Sequence, residues 1–168
     1  KRVLLIGDGD GRFLEALLTC LSGVDVDYLE PSSGMLKLAR SRVGDLHAVK
    51  WIDMDFEGWS ENRGNYDLVV AHFVLDAFAP EQRASIVRRL CDQLRPGGAV
   101  VVSDFDFPKT TFTRLIMWLM QFFFAVAVGQ PRWSIQKNDA AFSSLGYDLI
   151  QEKAWAKGWI YSQIWRNS

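Results

Sequence analysis

The opening stretch constrains this chain more than any other part of it. Val3-Leu4-Leu5-Ile6 is a continuous apolar run stopped by Gly7, and Gly7-Asp8-Gly9-Asp10-Gly11-Arg12 leads into apolar residues at helical spacing over 13–21. A short run without polar alternation reads as a strand buried on both faces, as in a parallel sheet covered by helices on each side. Glycines at such a strand-to-helix turn let the backbone bend sharply and approach a ligand closely. The crevice at the carboxyl ends of the strands is then the place to look for a binding site.

The same rhythm continues. Residues 24–29 read as a second strand, and Pro31-Ser32-Ser33-Gly34 opens a helix to about residue 43. Strands are expected at 48–52 and 66–71, a helix at 80–94 with Pro80 in its first turn, a turn at Arg95-Pro96-Gly97-Gly98 and a strand at 99–103. A short helix over 138–145 precedes two closing strands, 147–155 and 159–165, joined at Lys157-Gly158. Strands alternating with helices predict an α/β domain with a doubly wound, mostly parallel sheet closed by a hairpin. The chain is expected to form one domain over residues 1–168. Residues 112–129 break the rhythm, being nearly all apolar apart from Arg114 and Gln121. They are too short and too interrupted to span a membrane, and are expected to form a helical cap after the fifth strand. Its roles stay open between a packed cap, a lid over an apolar substrate, and a membrane-surface or homodimer face.

Charge excludes a nucleic-acid binder: 19 Lys and Arg stand against 20 Asp and Glu, and no basic channel is visible. Cys20 and Cys91 are far apart, with no Cys/His spacing for zinc, so no metal is expected and a reducing, cytoplasmic setting is. No signal peptide precedes Lys1-Arg2, but no initiator Met does either, so a segment ahead of residue 1 is expected.

Two acidic positions sharpen the glycine loop. Glu30 closes the second strand 19 residues after Gly11, where it can accept hydrogen bonds from two ribose hydroxyls. Asp55-Phe56 follows the third strand, placed to meet an adenine amino group and ring face. A dinucleotide fingerprint needs a third small residue where Arg12 stands, and Asp8 and Asp10 make the loop a poor host for a pyrophosphate. A zwitterionic or cationic nucleoside fits better, which points away from NAD and toward S-adenosylmethionine.

With these residues in view, the chain resembles the class I S-adenosylmethionine-dependent methyltransferases. The resemblance rests on Val3-Leu4-Leu5-Ile6-Gly7-x-Gly9-x-Gly11, Glu30, the Asp55 turn, Tyr66-Asp67-Leu68-Val69-Val70 and Leu94-Arg95-Pro96-Gly97-Gly98. It covers essentially the whole chain, and is nearest to small bacterial members, more distantly to the quinone-biosynthesis type. It implies a Rossmann-like seven-stranded sheet of order 3-2-1-4-5-7-6. It also implies that Gly7, Gly9 and Gly11 cradle the methionine part of the cofactor and that Glu30 holds the ribose. Asp55 would meet the adenine amino group, with Phe56 and Met35 against the ring, and His72 and Phe73 would line the methyl-donor end. The product would be S-adenosylhomocysteine. Leu5 stands where the family often has an acidic residue, so backbone carbonyls or Asp8 are expected to hold the methionine amino group.

Methyl transfer is an in-line displacement, so the enzyme aligns the partners and, where needed, removes a proton. His72 is the first candidate base, since its ordinary pKa is near neutrality; a structural or cofactor-contacting role is the alternative. Asp104 and Asp106 follow the fifth strand and, two residues apart, are expected to point the same way into the crevice as bases or orienters, or else to cap the next segment. Asp76 reads as the start of a turn, His47 as a loop residue, and Tyr161 and Trp165 as sheet packing. Seven Trp and eleven Phe, many after residue 105, suggest a small apolar or aromatic acceptor methylated at oxygen, carbon or nitrogen. A non-catalytic S-adenosylmethionine-binding subunit docking through 112–129 is the competing expectation, and a nicotinamide-dependent oxidoreductase a weaker third.

Overall fold

A computed structural model of the chain describes residues 1–44, 48–60, 64–106, 115, 118, 119, 137–155 and 158–167. Seven strands form one sheet: β1 (Arg2–Ile6), β2 (Asp25–Leu29), β3 (Val49–Ile52), β4 (Tyr66–His72), β5 (Leu94–Phe105), β6 (Tyr147–Trp155) and β7 (Ile160–Asn167). Their order is β3-β2-β1-β4-β5-β7-β6, as expected. The first five pair in parallel and β7 runs antiparallel to both β5 and β6.

The alternation of side chains along β1 builds two cores. Val3 and Leu5 pack with Val26, Tyr28, Val49 and Val70 under α1 (Arg12–Cys20) and α2 (Ser33–Val43), which contribute Leu14, Leu17 and Ala39. Leu4 and Ile6 pack with Val69, Val100, Val102 and Trp165 under α3 (Pro80–Asp92), through Ile86, Val87 and Leu90, and α4 (Asp139–Ser144), through Phe142. Strand residues buried on both faces explain why the run Val3 to Ile6 carries no polar member. The fully buried Trp165 stacks on Phe142 at 4.8 Å and 10°, so Trp165 is a core residue, as expected.

Two differences from the sequence reading have local causes. The expected turn at Arg95-Gly98 lies inside β5 as an irregularity: Tyr66 pairs with Leu94, but Leu68 already pairs with Ala99. The extra residues loop out over the start of β4, with Gly97 at φ 78°. The edge strand β6 is exposed at every residue from Asp148 to Trp155, and its ladder shifts between Leu149 and Gln151.

Most of the expected cap at 112–129 lies outside the described residues, and so does His47. Leu115, Trp118 and Leu119 are described as helical and exposed. No helix among the described residues is long and apolar enough to cross a membrane.

Candidate active site

The loop between β1 and α1 is held from three sides. Gly7 adopts φ 76°, and a Cβ there would lie 2.4 Å from the carbonyl oxygen of His72, so only glycine lets this loop lean on the exit of β4. Gly11 is closed in the same way by Ala39 of α2, 2.8 Å from an added Cβ. Gly9, at φ 66°, differs: an added Cβ would meet nothing within 4 Å. The protein's own packing explains Gly7 and Gly11, whereas Gly9 presents bare backbone to open space. Its carbonyl accepts the Tyr28 hydroxyl at 2.8 Å, which fixes the loop's height above β2.

The loop acids have other work than the sequence suggested. Asp8 Oδ1 accepts from Phe13 N at 3.0 Å and Oδ2 from Leu14 N at 2.9 Å, so the carboxylate serves the amino end of α1. This corrects the expectation that Asp8 would hold a ligand's amino group. Burial raises its pKa above the ordinary carboxylate value, against the lowering effect of the two amides. Asp10 is paired: its Oδ2 accepts from Arg12 Nε at 3.0 Å and from Arg42 Nη2 at 2.7 Å, and these cations hold its pKa below the usual value. The loop is therefore less negative than its sequence implies, and its acidity is a weaker argument against a phosphate than expected.

A cavity of about 300 Å³ opens at the carboxyl ends of β1, β2 and β4, lined by Ile6, Gly7, Leu29, Glu30, Pro31, Met54, Asp55, Phe56, His72, Phe73, Val74, Ala77 and Phe78. The structure thus brings together Gly7, Glu30, Asp55, Phe56, His72 and Phe73 from four separate segments. Glu30 is only 7% exposed, and its Oε1 accepts from Ser32 N at 3.0 Å. Asp55 Oδ1 accepts from Gly58 N at 2.6 Å, tightening the turn after β3. Phe56 is buried beneath that turn, with the Arg89 guanidinium 4.8 Å from its ring centroid and donating to the carbonyls of Phe56 (2.8 Å) and Trp59 (3.0 Å).

His72 and Phe73 contribute a further part of the lining. The His72 ring meets Phe13 edge-on at 4.6 Å, and its buried Nε2 has no hydrogen-bond partner among the described residues. Burial lowers its pKa to about 4, so the imidazole is neutral at physiological pH and a weak proton acceptor. Phe73 is the only non-glycine described residue with positive φ, at 53°; its N–H donates to Ser103 O at 2.7 Å and its ring packs on Phe105 at 4.8 Å. Strain of this kind persists where surrounding contacts over-determine it, and it concentrates at functional sites. A second cavity, of about 380 Å³, lies on the α1 side of His72 against Phe13, Val101, Lys153 and Trp155.

A family model described as a methyltransferase domain matches residues 3–98, more than half of the chain. The chain belongs to that family. The malonyl-[acyl-carrier protein] O-methyltransferase 2 of Ilyobacter polytropus is 26% identical over 113 residues, 67% of this chain and 42% of that protein. The chain thus spans less than half the length of that relative. Among solved structures, N-methyltransferase NodS of Bradyrhizobium japonicum, in complex with S-adenosyl-L-homocysteine, has a TM-score of 0.70 at 16% identity, covering 99% of this chain and 78% of its own. The 1,6-didemethyltoxoflavin-N1-methyltransferase of Burkholderia thailandensis, with bound 1,6-didemethyltoxoflavin and S-adenosylhomocysteine, has a TM-score of 0.71 at 13% identity, covering 99% of this chain and 71% of its own. These likenesses establish the Rossmann-like methyltransferase fold over nearly the whole chain.

Within this methyltransferase domain several expected positions fall elsewhere. Met35 is 44% exposed on α2 and does not line the cavity; Met54, two residues past the end of β3, lines it instead. Gly9 and Gly11 stand in the loop but are not among the lining residues. Asp104 and Asp106 share a face, as period two requires, yet that face lies on the α3 side beneath the turn after β4 and lines neither cavity. Asp104 is 2% exposed, its Oδ2 accepting from Asp76 N at 3.1 Å and its Oδ1 from Phe105 N at 2.9 Å. Asp106 lies 4.0 Å from Lys137 Nζ. This corrects the expectation that both point into the crevice as bases. The sequence reading missed Val74, Ala77 and Phe78, which the 3₁₀ turn Leu75–Ala77 folds back over the cavity. The Leu75-Asp76-Ala77-Phe78-Ala79-Pro80 stretch carried the only signal, an apolar segment too short for a helix. No group of His, Cys, Asp and Glu among the described residues is placed to hold a metal.

Proposed function

We propose that this chain binds S-adenosylmethionine in the cavity at the carboxyl ends of β1, β2 and β4 and transfers its methyl group to a small apolar or aromatic acceptor. The observation that carries the reading is the pairing of one buried carboxylate, Glu30, with a mostly apolar slot close to the glycine loop, where an added Cβ on Gly9 would meet no protein atom. Glu30, at the end of β2, is placed to accept from vicinal ribose hydroxyls. Leu29, Met54 and Phe56 offer an apolar lining to an adenine, and Asp55 lines the same cavity. The Gly9 backbone leaves room for the amino-acid portion. Bound there, the sulfonium supplies an activated methyl group. The protein contributes alignment and exclusion of water. His72, held neutral, can accept one hydrogen bond from a polar acceptor group but holds a full proton weakly.

An apolar acceptor is supported by the aromatic cluster beside the cavity, in which Phe105 bridges Phe73 at 4.8 Å and Trp159 at 5.6 Å. The free cysteines, Cys20 exposed and Cys91 buried, support a reducing, cytoplasmic setting. The exposed Leu115, Trp118 and Leu119 keep a docking role for this part of the chain in view, whether against a membrane surface or a second copy.

The test is calorimetric titration with S-adenosylmethionine, S-adenosylhomocysteine and NAD. Micromolar binding of the first two without NAD supports the reading. NAD binding alone revives the oxidoreductase. Cofactor binding with no turnover on any acceptor favours the docking subunit.

A further inference from the structure

The turn that closes the cavity over its methyl-donor side is poorly supported by its own backbone. It is a single 3₁₀ turn whose bonds, Ala77 N to Val74 O at 3.2 Å and Phe78 N to Leu75 O at 3.3 Å, are long. It follows Phe73 at φ 53°, a left-handed conformation that strains a non-glycine residue. What holds it from below is a side chain of the neighbouring strand: Asp104 of β5, whose Oδ2 accepts the Asp76 N–H.

The surroundings of that contact are almost dry. Asp76 is 6% exposed, Asp104 2% and Arg83 of α3 4%. The two carboxyls lie side by side with the Arg83 guanidinium as the cation facing both, and Arg83 Nε also donates to Phe78 O at 3.1 Å. From β7, Tyr161 faces Asp104 in register; from the entry to α4, Asn138 bonds the Tyr161 hydroxyl, Asp139 lies near it, and Lys137 Nζ sits 5.3 Å from its ring centroid. Among the described residues two carboxyls face one guanidinium, which leaves a net negative charge in a buried place, and burying an unbalanced charge is expensive. One retained proton removes that excess. Asp104 accepts two backbone N–H groups and is the member suited to stay ionised, so Asp76 is the one that keeps the proton.

We propose that Asp104 is a positioning residue for the cavity: through a singly protonated pair with Asp76 it holds the turn that presents Phe73, Val74, Ala77 and Phe78 to the ligand. The inference rests on the methyl-donor reading of that cavity, and its consequence is cofactor affinity that depends on a proton the cofactor never touches. Burial raises both groups above the ordinary carboxylate range and the Asp104 charge raises Asp76 further, which places the loss of the Asp76 proton on the alkaline side.

The experiment is S-adenosylhomocysteine titration from pH 6.5 to 9.5 on wild type, Asp104→Ala and Asp76→Asn, beside urea unfolding of each protein over the same range. Asp76→Asn imitates the protonated member without being able to ionise. Wild-type affinity is expected to weaken about five-fold or more toward pH 9.5, Asp76→Asn to stay within about two-fold throughout, and Asp104→Ala to bind at least ten-fold more weakly at pH 7. The raised folded pKa makes wild type lose stability from the ordinary carboxylate value up to that pKa, so wild type should fall relative to Asp76→Asn at the lower end of the range and run level with it at the alkaline end. Identical pH profiles of wild type and Asp76→Asn, or full affinity in Asp104→Ala, overturn the proposal. Should Asp104→Ala not fold, the two remaining profiles decide it. A wild type that binds no S-adenosylhomocysteine at any pH sinks the methyl-donor reading, while the unfolding comparison still judges the shared proton.

Discussion

The two ends of the same sheet treat buried charge in opposite ways. At the amino end Asp27, 5% exposed, accepts from Arg2 Nη2 at 2.7 Å and from the Tyr66 hydroxyl. Asp67 accepts the Arg2 N–H at 2.7 Å and pairs with Arg95. Two carboxylates meet two guanidiniums, and Arg2 also lies 4.9 Å from the Tyr66 ring centroid. At the carboxyl end two carboxyls meet one guanidinium, and a histidine nitrogen is buried without a described partner. The balanced end fastens four strands together, β1, β2, β4 and β5. The unbalanced end carries stress that a ligand or a proton can relieve, which is where an α/β sheet places its chemistry.

That contrast is open to attack. The largest effect is expected from Asp27→Ala, which strands Arg2 and Tyr66: roughly 2–4 kcal/mol of stability lost in urea unfolding, the upper bound reduced because Arg2 is partly exposed. Cofactor affinity in the folded fraction should be unchanged; if affinity falls with stability, the two ends are not separate in function. Glu30→Ala should reverse the pattern, weakening S-adenosylhomocysteine by ten- to a hundred-fold, about 1–3 kcal/mol, with little change in the urea midpoint. Unaltered calorimetric affinity would show that the ribose is held elsewhere. Gly9→Val should abolish binding for a cost of only about 1–2 kcal/mol in stability, because the added side chain meets no protein atom and must only bear its positive φ.

The smallest effect is a pH slope. His72 titrates near pH 4 when folded against its ordinary 6.5, so the unfolded chain binds its proton first as pH falls. Its contribution to stability is fully present above pH 6.5 and lost progressively toward pH 4. His72→Asn should flatten the fall in urea midpoint between those values, and an unchanged slope would mean that the ring is less buried than its contacts indicate.

Sequence and structure agree where periodicity was the signal. The solid runs Val3 to Ile6 and Tyr66 to Ala71 marked strands, and the glycine loop marked the strand-to-helix turn; the strand order and the gathering of Gly7, Glu30, Asp55, Phe56, His72 and Phe73 at one cavity followed from the family resemblance that these motifs carry. Agreement stops where a role depends on what lies across a gap in sequence. Asp8 and Gly9 look alike as loop residues, but only the packing of α1 reveals that Asp8 is consumed by the helix. Asp104 looked like a crevice residue because strand ends usually are. Its partner Asp76 is 28 residues away, and only the turn after β4 brings them together. Met35 was expected at the ring from the resemblance alone; the exit from β3 instead brings Met54 to the cavity.

The shift between Leu149 and Gln151 in β6 has a consequence for how the molecule behaves in a crowded solution. An outer strand with Leu149, Ile150 and Trp155 exposed offers unpaired backbone and greasy side chains to any passing strand. The shift kinks that rim and breaks it into two shorter stretches, and Asp148, Glu152 and Lys153 decorate what remains with charge of both signs. The rim thereby resists zipping to its own copies. Straightening it would turn protein concentration, rather than heat, into what limits the lifetime of a sample.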